Sequence, residues 1–242
     1  MNPPTVSDIR PSRQAPPEGL QSDTSHPGHP ADPPAPRTGD KAKARDLLAA
    51  VSILTGIEQE RRPPTPPERQ ALARFPGFGP LAPRLFPDPV TGHYRDATWQ
   101  QLGEELHARL SPEEYASARR TTFTAFYTSP LVIRAMHQAL ARLGVPPHAT
   151  VLEPGCGSGH FIGEAPPGMR FIGIEIDSLS GRIAQALYPT ADIRIENFRD
   201  THLPEDRIDA VIGNVPFADI RLGYGGQPPD PNKSVMKEGR EP

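Results

Sequence analysis

The sequence predicts an α/β fold in which a parallel sheet, covered by helices, occupies the second half of the chain. Three observations predict it. Four short β-branched runs follow Pro147, crossovers of about a dozen or more residues separate them, and a helix-patterned segment, "SLSGRIAQALYP", lies between the second and third runs. The first half reads differently. The whole 242-residue chain carries 33 prolines, far above the usual share of about 5%, and only 36% hydrophobic residues, so part of it is expected not to pack.

Residues 1–40 are dense in Pro, Ser, Asp and His with few large apolar side chains, too little to offset the entropy cost of ordering, and read as a disordered tail. A helical lead-in region is expected over 41–120. "KAKARDLLAAVSILTGIEQE" places apolar residues at helical spacing and predicts a helix over about 42–60. "RRPPTPPERQALARFPGFGPLAPRLFPDP" predicts one short helical piece near 66–73, its repeated Gly and Pro otherwise marking connectors rather than core. "TWQQLGEELHARL" and "SPEEYASARRTTFTAF" read as two helices, the second opened by Ser111, Pro112, Glu113 and Glu114.

In "YTSPLVIRAMHQALARLG", Ser129 caps, Pro130 takes the first helical position, apolar residues recur at 131, 132, 133, 136, 140 and 143, and Gly144 stops the helix. Strands are then expected at 149–154, 169–176, 191–197 and 208–214.

The formal charge of −3 supplies no overall basic field, so any nucleic-acid contact must come from a local patch or from outside the chain. One cysteine, Cys156, cannot form an intramolecular disulfide, and no Cys/His cluster has zinc spacing, so no metal site is predicted. The N-terminus lacks the apolar core of a signal peptide and no long apolar run follows. A soluble cytoplasmic protein without membrane contact is expected.

The chemistry-bearing residues gather at the expected strand ends. After the first strand, "VLEPGCGSGHF" places Gly155, Gly157 and Gly159 where a tight turn can approach a ligand without a Cβ in the way. A pyrophosphate-binding fingerprint wants a third glycine where His160 stands, which weakens a nicotinamide-dinucleotide reading. The second strand ends in "GIEID", putting Glu175 about 20 residues beyond Gly155, the distance at which an acid accepts from ribose hydroxyls. By itself such an acid is more simply a solvated strand end.

The fourth strand ends in "GNVPF". The Asn214 side-chain oxygen and the carbonyl of Val215 can accept both hydrogens of a planar amine, exposing its lone pair to a methyl donor by orientation and electrostatics. Pro216 keeps Val215 extended, and Phe217 offers a face on which a base can stack. The simpler alternative is a turn with a buried Phe.

In this order, "FYTSP", "VLEPGCGSGHF", "GIEID", "ENF" and "NVPF" resemble the motifs of S-adenosylmethionine-dependent, amino-group (adenine-specific) DNA methyltransferases, over about 121–220. The resemblance implies a Rossmann-like class I methyltransferase fold. Thr128 would lie by the methionine carboxylate of S-adenosyl-L-methionine, Glu153 with Gly155 and Gly157 near its methionine end, Glu175 at its ribose, and Asn197 and Phe198 beside its adenine. Asn214, Val215, Pro216 and Phe217 would form the catalytic motif, with valine where the family usually has a first proline. "RPPTPPERQALARFPGFG" and "GRIAQALYP" extend the similarity to the N-terminal methylase region of large plasmid and phage proteins that join a methyltransferase to a Swi/Snf-type helicase.

The resemblance also implies core strands beyond the catalytic motif. Residues 221–242 read instead as a polar tail, so an incomplete sheet is expected, as is an N-terminal fragment of marginal stability that can be inactive alone. The partners implied are DNA with an adenine target and the rest of a methyltransferase–helicase polypeptide. Two alternatives stay open: a non-catalytic cofactor-binding or assembly module, and a methyltransferase for RNA or protein glutamine, since the same geometry serves any planar amine.

Overall fold

The computed structural model describes residues 38–120, 127–203 and 207–214. Residues 1–37 of the predicted N-terminal tail, the predicted C-terminal tail, the last part of the helix expected over 111–126, and Val215, Pro216 and Phe217 lie outside them, while Asp40, expected in the tail, opens a helix. Among the described residues a sheet of four strands runs in the order β3-β2-β1-β4, with β1 Thr150–Pro154, β2 Arg170–Glu175, β3 Asp192–Ile195 and β4 Ala210–Val211. Every pairing is parallel. This is the α/β class the sequence predicts, in an order compatible with a Rossmann-like sheet.

Alternation along the strands divides the sheet into two faces. Val151 and Phe171 point toward α6 (Pro130–Arg142) and α7 (His160–Gly163), packing with Ile133, Phe161 and Ile212. Cys156 and Ile193 pack with Ala184 of α8 (Ser178–Leu187). On the opposite face Leu152, Ile172 and Ile174 are joined by Leu203 and Ile208. Gly173 is glycine for a packing reason: a Cβ there would lie 2.8 Å from Ile193 Cδ1 and 2.9 Å from Cys156 Sγ.

Helix boundaries follow local chemistry. In α6 the Ser129 hydroxyl accepts from Val132 N and Pro130 opens the helix, as the sequence predicts. Its apolar positions do not all turn inward. Ile133 is fully buried, yet Leu131, Val132 and Leu143 are 73%, 48% and 80% exposed, because only one stripe of the helix meets the sheet. For α8, Asp177 is the cap, accepting from Ser180 N at 3.0 Å and Ser180 Oγ at 2.7 Å.

The helical lead-in comprises α1 (Asp40–Glu60), α2 (Pro66–Leu72), α3 (Ala82–Leu85), α4 (Ala97–Arg109) and α5 (Pro112–Arg120). One apolar cluster runs from Ala44 through these helices to Leu179, Ile183 and Leu187 of α8. The lead-in therefore packs on the outer side of α8 and shares its core with the sheet unit.

One expectation is corrected here. The Gly/Pro-rich stretch after α2, read as connectors, buries Phe75, Phe78, Leu81, Leu85 and Phe86, with Phe75 and Phe78 edge-on at 5.8 Å. Prolines set turn angles without preventing the residues between them from pointing inward. Polar ties finish the junction: Arg69 donates to the Leu187 carbonyl at 2.6 Å, Arg182 pairs with Glu58 at 3.0 Å and with Glu114, and Ser117 donates to Asp177 at 3.2 Å. Among the described residues no helix is long and apolar enough to cross a membrane.

The fourth strand is shorter than its sequence suggests. Its ladder runs from Asp209 N on the Thr150 carbonyl, 2.9 Å, to Ile212 N on the Leu152 carbonyl, 3.0 Å. Among the described residues β4 is the outermost strand beside β1, and Val211 is 60% exposed although "DAVIG" is patterned for burial on both faces.

Candidate functional site

Parallel strands bring their carboxyl ends to one edge, and four of the predicted motifs follow those ends: the glycine turn after β1, Glu175 at the end of β2, Asn197 and Phe198 after β3, and Asn214 after β4. The register ties them together. Glu153 pairs with Gly173, Pro154 with Ile174, and Glu175 with Ile195.

The turn Gly155–Gly159 has Gly155, Gly157 and Gly159 at φ of 68°, 56° and 82°, a region that side chains with a Cβ rarely enter. Its amides are largely committed. Gly155 N and Cys156 N both donate to the Ile174 carbonyl, at 2.7 and 3.0 Å, and Gly159 N donates to the Cys156 carbonyl at 2.9 Å. Gly157 N donates to Glu175 Oε2 at 2.7 Å. A turn whose amides are spent internally makes a poor cradle for a pyrophosphate.

The missing Cβ atoms serve two purposes. A Cβ on Gly155 would meet open space, so this glycine leaves the turn approachable. At Gly157 the space is filled by the protein itself, since a Cβ would lie 2.8 Å from Tyr127 Cε1. At Gly159 it would lie 2.7 Å from Tyr188 Cε2.

Glu175, 8% exposed, also accepts from Asp177 N at 2.8 Å, so each carboxylate oxygen holds one backbone amide. Burial raises its pKa, against the lowering effect of those amides. A carboxylate has about four acceptor sites, which leaves capacity for hydroxyl donors. Beside it Glu153 is 2% exposed, and its Oε2 is buried with no hydrogen-bond partner among the described residues. Desolvation first, then the Glu175 charge, raise its pKa well above the ordinary carboxyl value.

Thr128 Oγ1 is also buried without a hydrogen-bond partner among the described residues. Its neighbour Tyr127 accepts from Ser158 Oγ at 3.2 Å and packs on the His160 ring, centroids 4.1 Å apart. Burial pushes the His160 pKa down to about 4, keeping that imidazole neutral.

Asn197 uses its Oδ1 to cap the short 3-10 turn Phe198–Asp200, accepting from Arg199 N at 3.1 Å. Phe198, Ile176 and Ile195, near the ends of β2 and β3, are 46%, 40% and 37% exposed. Asn214 is exposed and lies two residues beyond the last ladder bond of β4. Its neighbour Gly213 sits against β1, where a Cβ would be 3.4 Å from the Pro154 carbonyl and 3.9 Å from Glu153 Cγ. Asn214 thus follows a residue seated beside Glu153.

Sequence reasoning missed Tyr127, His160, Ile176 and Tyr188 as parts of this edge. Each lies inside a quoted motif, Tyr127 in "FYTSP", His160 in "VLEPGCGSGHF", Ile176 in "GIEID" and Tyr188 in "GRIAQALYP". The motifs do not show what each side chain packs on, and the place of Tyr188 against Gly159 depends on how α8 returns to the sheet. Among the described residues no group of three or more His, Cys, Asp or Glu side chains is arranged to hold a metal ion.

A stretch of 68 residues, 27% of the chain, is 43% identical to the "Defense against restriction protein B" of Escherichia phage P1, and spans 3% of that protein's length. No family model and no solved structure matches the chain.

Proposed function

We propose that the carboxyl edge of this sheet binds S-adenosylmethionine within a class I methyltransferase-type fold, for methyl transfer to the exocyclic amine of adenine in DNA. The observation that carries the reading is that Glu153 Oε2, on β1 just before the glycine turn, and Thr128 Oγ1, next in the chain to the Tyr127 ring that packs on that turn, are buried without hydrogen-bond partners among the described residues. A buried polar atom without a partner costs roughly 1–3 kcal/mol, and a ligand that satisfies both removes that cost. Adenosylmethionine carries an ammonium and a carboxylate at one end and no phosphate, which suits these groups better than a dinucleotide does.

When bound, the cofactor supplies a methyl group activated on a sulfonium. Glu153 accepts from its ammonium, Thr128 meets its carboxylate, and Glu175 accepts from the ribose hydroxyls through its remaining acceptor sites. Phe198 and Ile176 give the adenine an apolar bed. Asn214 accepts an amine hydrogen of the target base, orienting its lone pair, with the Val215 carbonyl as second acceptor and Phe217 as the stacking face. The name of the phage P1 protein favours a DNA acceptor, because a methylated base no longer presents the same edge to a restriction nuclease. The remainder of a methyltransferase–helicase polypeptide would then supply DNA reading.

Titration calorimetry with adenosylmethionine and, separately, NAD tests the cofactor. Binding of the first and not the second is expected, and a preference for NAD would sink the reading. Asn214→Ala should retain cofactor affinity within about tenfold, or 1.4 kcal/mol, while abolishing transfer of a labelled methyl group to DNA. Unchanged transfer would remove Asn214 from the chemistry. Offering DNA, RNA and protein pools in the same assay separates the acceptors, and binding without transfer to any pool would mark a non-catalytic module.

A further inference from the structure

The ring of Tyr127 lies between two glycines that are 80 positions apart in sequence, Gly77 and Gly157. A Cβ on Gly77 would approach Tyr127 Cε2 at 2.8 Å, and a Cβ on Gly157 would approach Cε1 at 2.8 Å, so opposite edges of one ring fill both spaces. Gly77 belongs to the buried Phe75–Gly79 stretch of the helical lead-in, while Gly157 belongs to the glycine turn. The phenol oxygen accepts from Ser158 of the same turn, and the His160 ring packs beside it. Thr128, with its unpartnered hydroxyl, is the next residue in the chain.

From this geometry we infer that Tyr127 is a positioning residue, clamped by Gly77 so that its ring sets the Gly155–Gly159 turn and delivers Thr128 to it. The lead-in is then part of the ligand site although it contributes no group that touches the ligand. Its role at that site rests on the cofactor reading above, whereas the clamp on the turn does not.

The test compares Gly77→Ala with Gly92→Ala in the full chain. Both glycines have positive φ, 70° and 72°, so both substitutions put a side chain where φ favours glycine, but a Cβ on Gly92 meets nothing within 4 Å. Amide hydrogen exchange over residues 155–159 should rise about tenfold or more in Gly77→Ala and change less than about twofold in Gly92→Ala, local opening being what exchange reports. Tyr127→Phe, which keeps the ring and loses the Ser158 bond, should stay near wild type, and Tyr127→Ala should match Gly77→Ala. Equal exchange in the two glycine variants, or an unchanged turn in Gly77→Ala, overturns the clamp. Adenosylmethionine affinity in Gly77→Ala should fall by about tenfold. If the variants show the exchange pattern while the wild-type chain binds no adenosylmethionine, the clamp is supported and the cofactor reading is overturned instead.

Discussion

The helical lead-in and the β4 edge of the sheet are opposites in how they are held. The lead-in shares with α8 a cluster of buried side chains that includes Leu47, Leu54, Phe78, Leu85, Leu106 and Ile183. Among the described residues the β4 edge has a two-residue strand paired only with β1, and Val211 is left 60% exposed. Stability is thus concentrated away from the edge where Asn214 emerges. Folded proteins commonly place their least stable segments where ligands bind, and here the contrast lies between the two ends of one sheet.

The largest effects should come from the helical side. Phe78→Ala, removing a ring 1% exposed that packs on Phe75 and Phe86, should cost about 3–5 kcal/mol in denaturant unfolding. Val211→Ala should cost under about 0.5 kcal/mol. Comparable losses for the two would break the contrast.

At the turn joining the regions, Gly159→Ala should cost about 1–3 kcal/mol from the positive φ alone, before the approach to Tyr188 is counted. A loss under 0.5 kcal/mol would show that the turn relaxes freely. Asp177→Ala, which removes the α8 cap and the bond from Ser117, should cost about 1 kcal/mol, within a range of 0.5–2. No loss would mean that water replaces the cap.

Two further effects should be read from pH. His160 is neutral in the fold down to about 4 but takes a proton at 6.5 when unfolded, so it withdraws stability as pH falls through that window. Buried Glu153 acts with the opposite sign. Its folded pKa lies above the unfolded value of 4.5, so its contribution is lost as pH rises from 4.5 through the folded value. Unfolding midpoints for Glu153→Gln across pH 4.5 to 8 should therefore lack part of the wild-type decline on the alkaline side. An identical profile would mean that Glu153 titrates normally.

Local chemistry made much of the fold legible. The cap at Ser129 starts α6 through a bond spanning three residues, and the strand alternation needs only neighbours two apart. The glycine turn was legible for the same reason, because positive φ is a property of single residues. The candidate site was legible as a set of strand ends, which parallel pairing must gather at one edge.

Contacts between distant residues were not legible. "FPGFGP" reads as a connector, yet Phe75 and Phe78 are buried, because composition reports how the backbone can bend and not what it bends toward. The glycines at 157 and 159 read as room for a ligand, yet the rings of Tyr127 and Tyr188 fill that room. Only the tertiary structure decided which oxygens were left without partners, since satisfaction of a buried polar atom depends on every neighbour at once. The sequence by itself determined the parallel α/β class, the turn and the order of motifs, all of them consequences of short-range sterics and periodicity. The packing of the lead-in on α8, the clamp of Gly77 on Tyr127 and the isolation of Glu153 and Thr128 belong to long-range contacts, which no local pattern specifies.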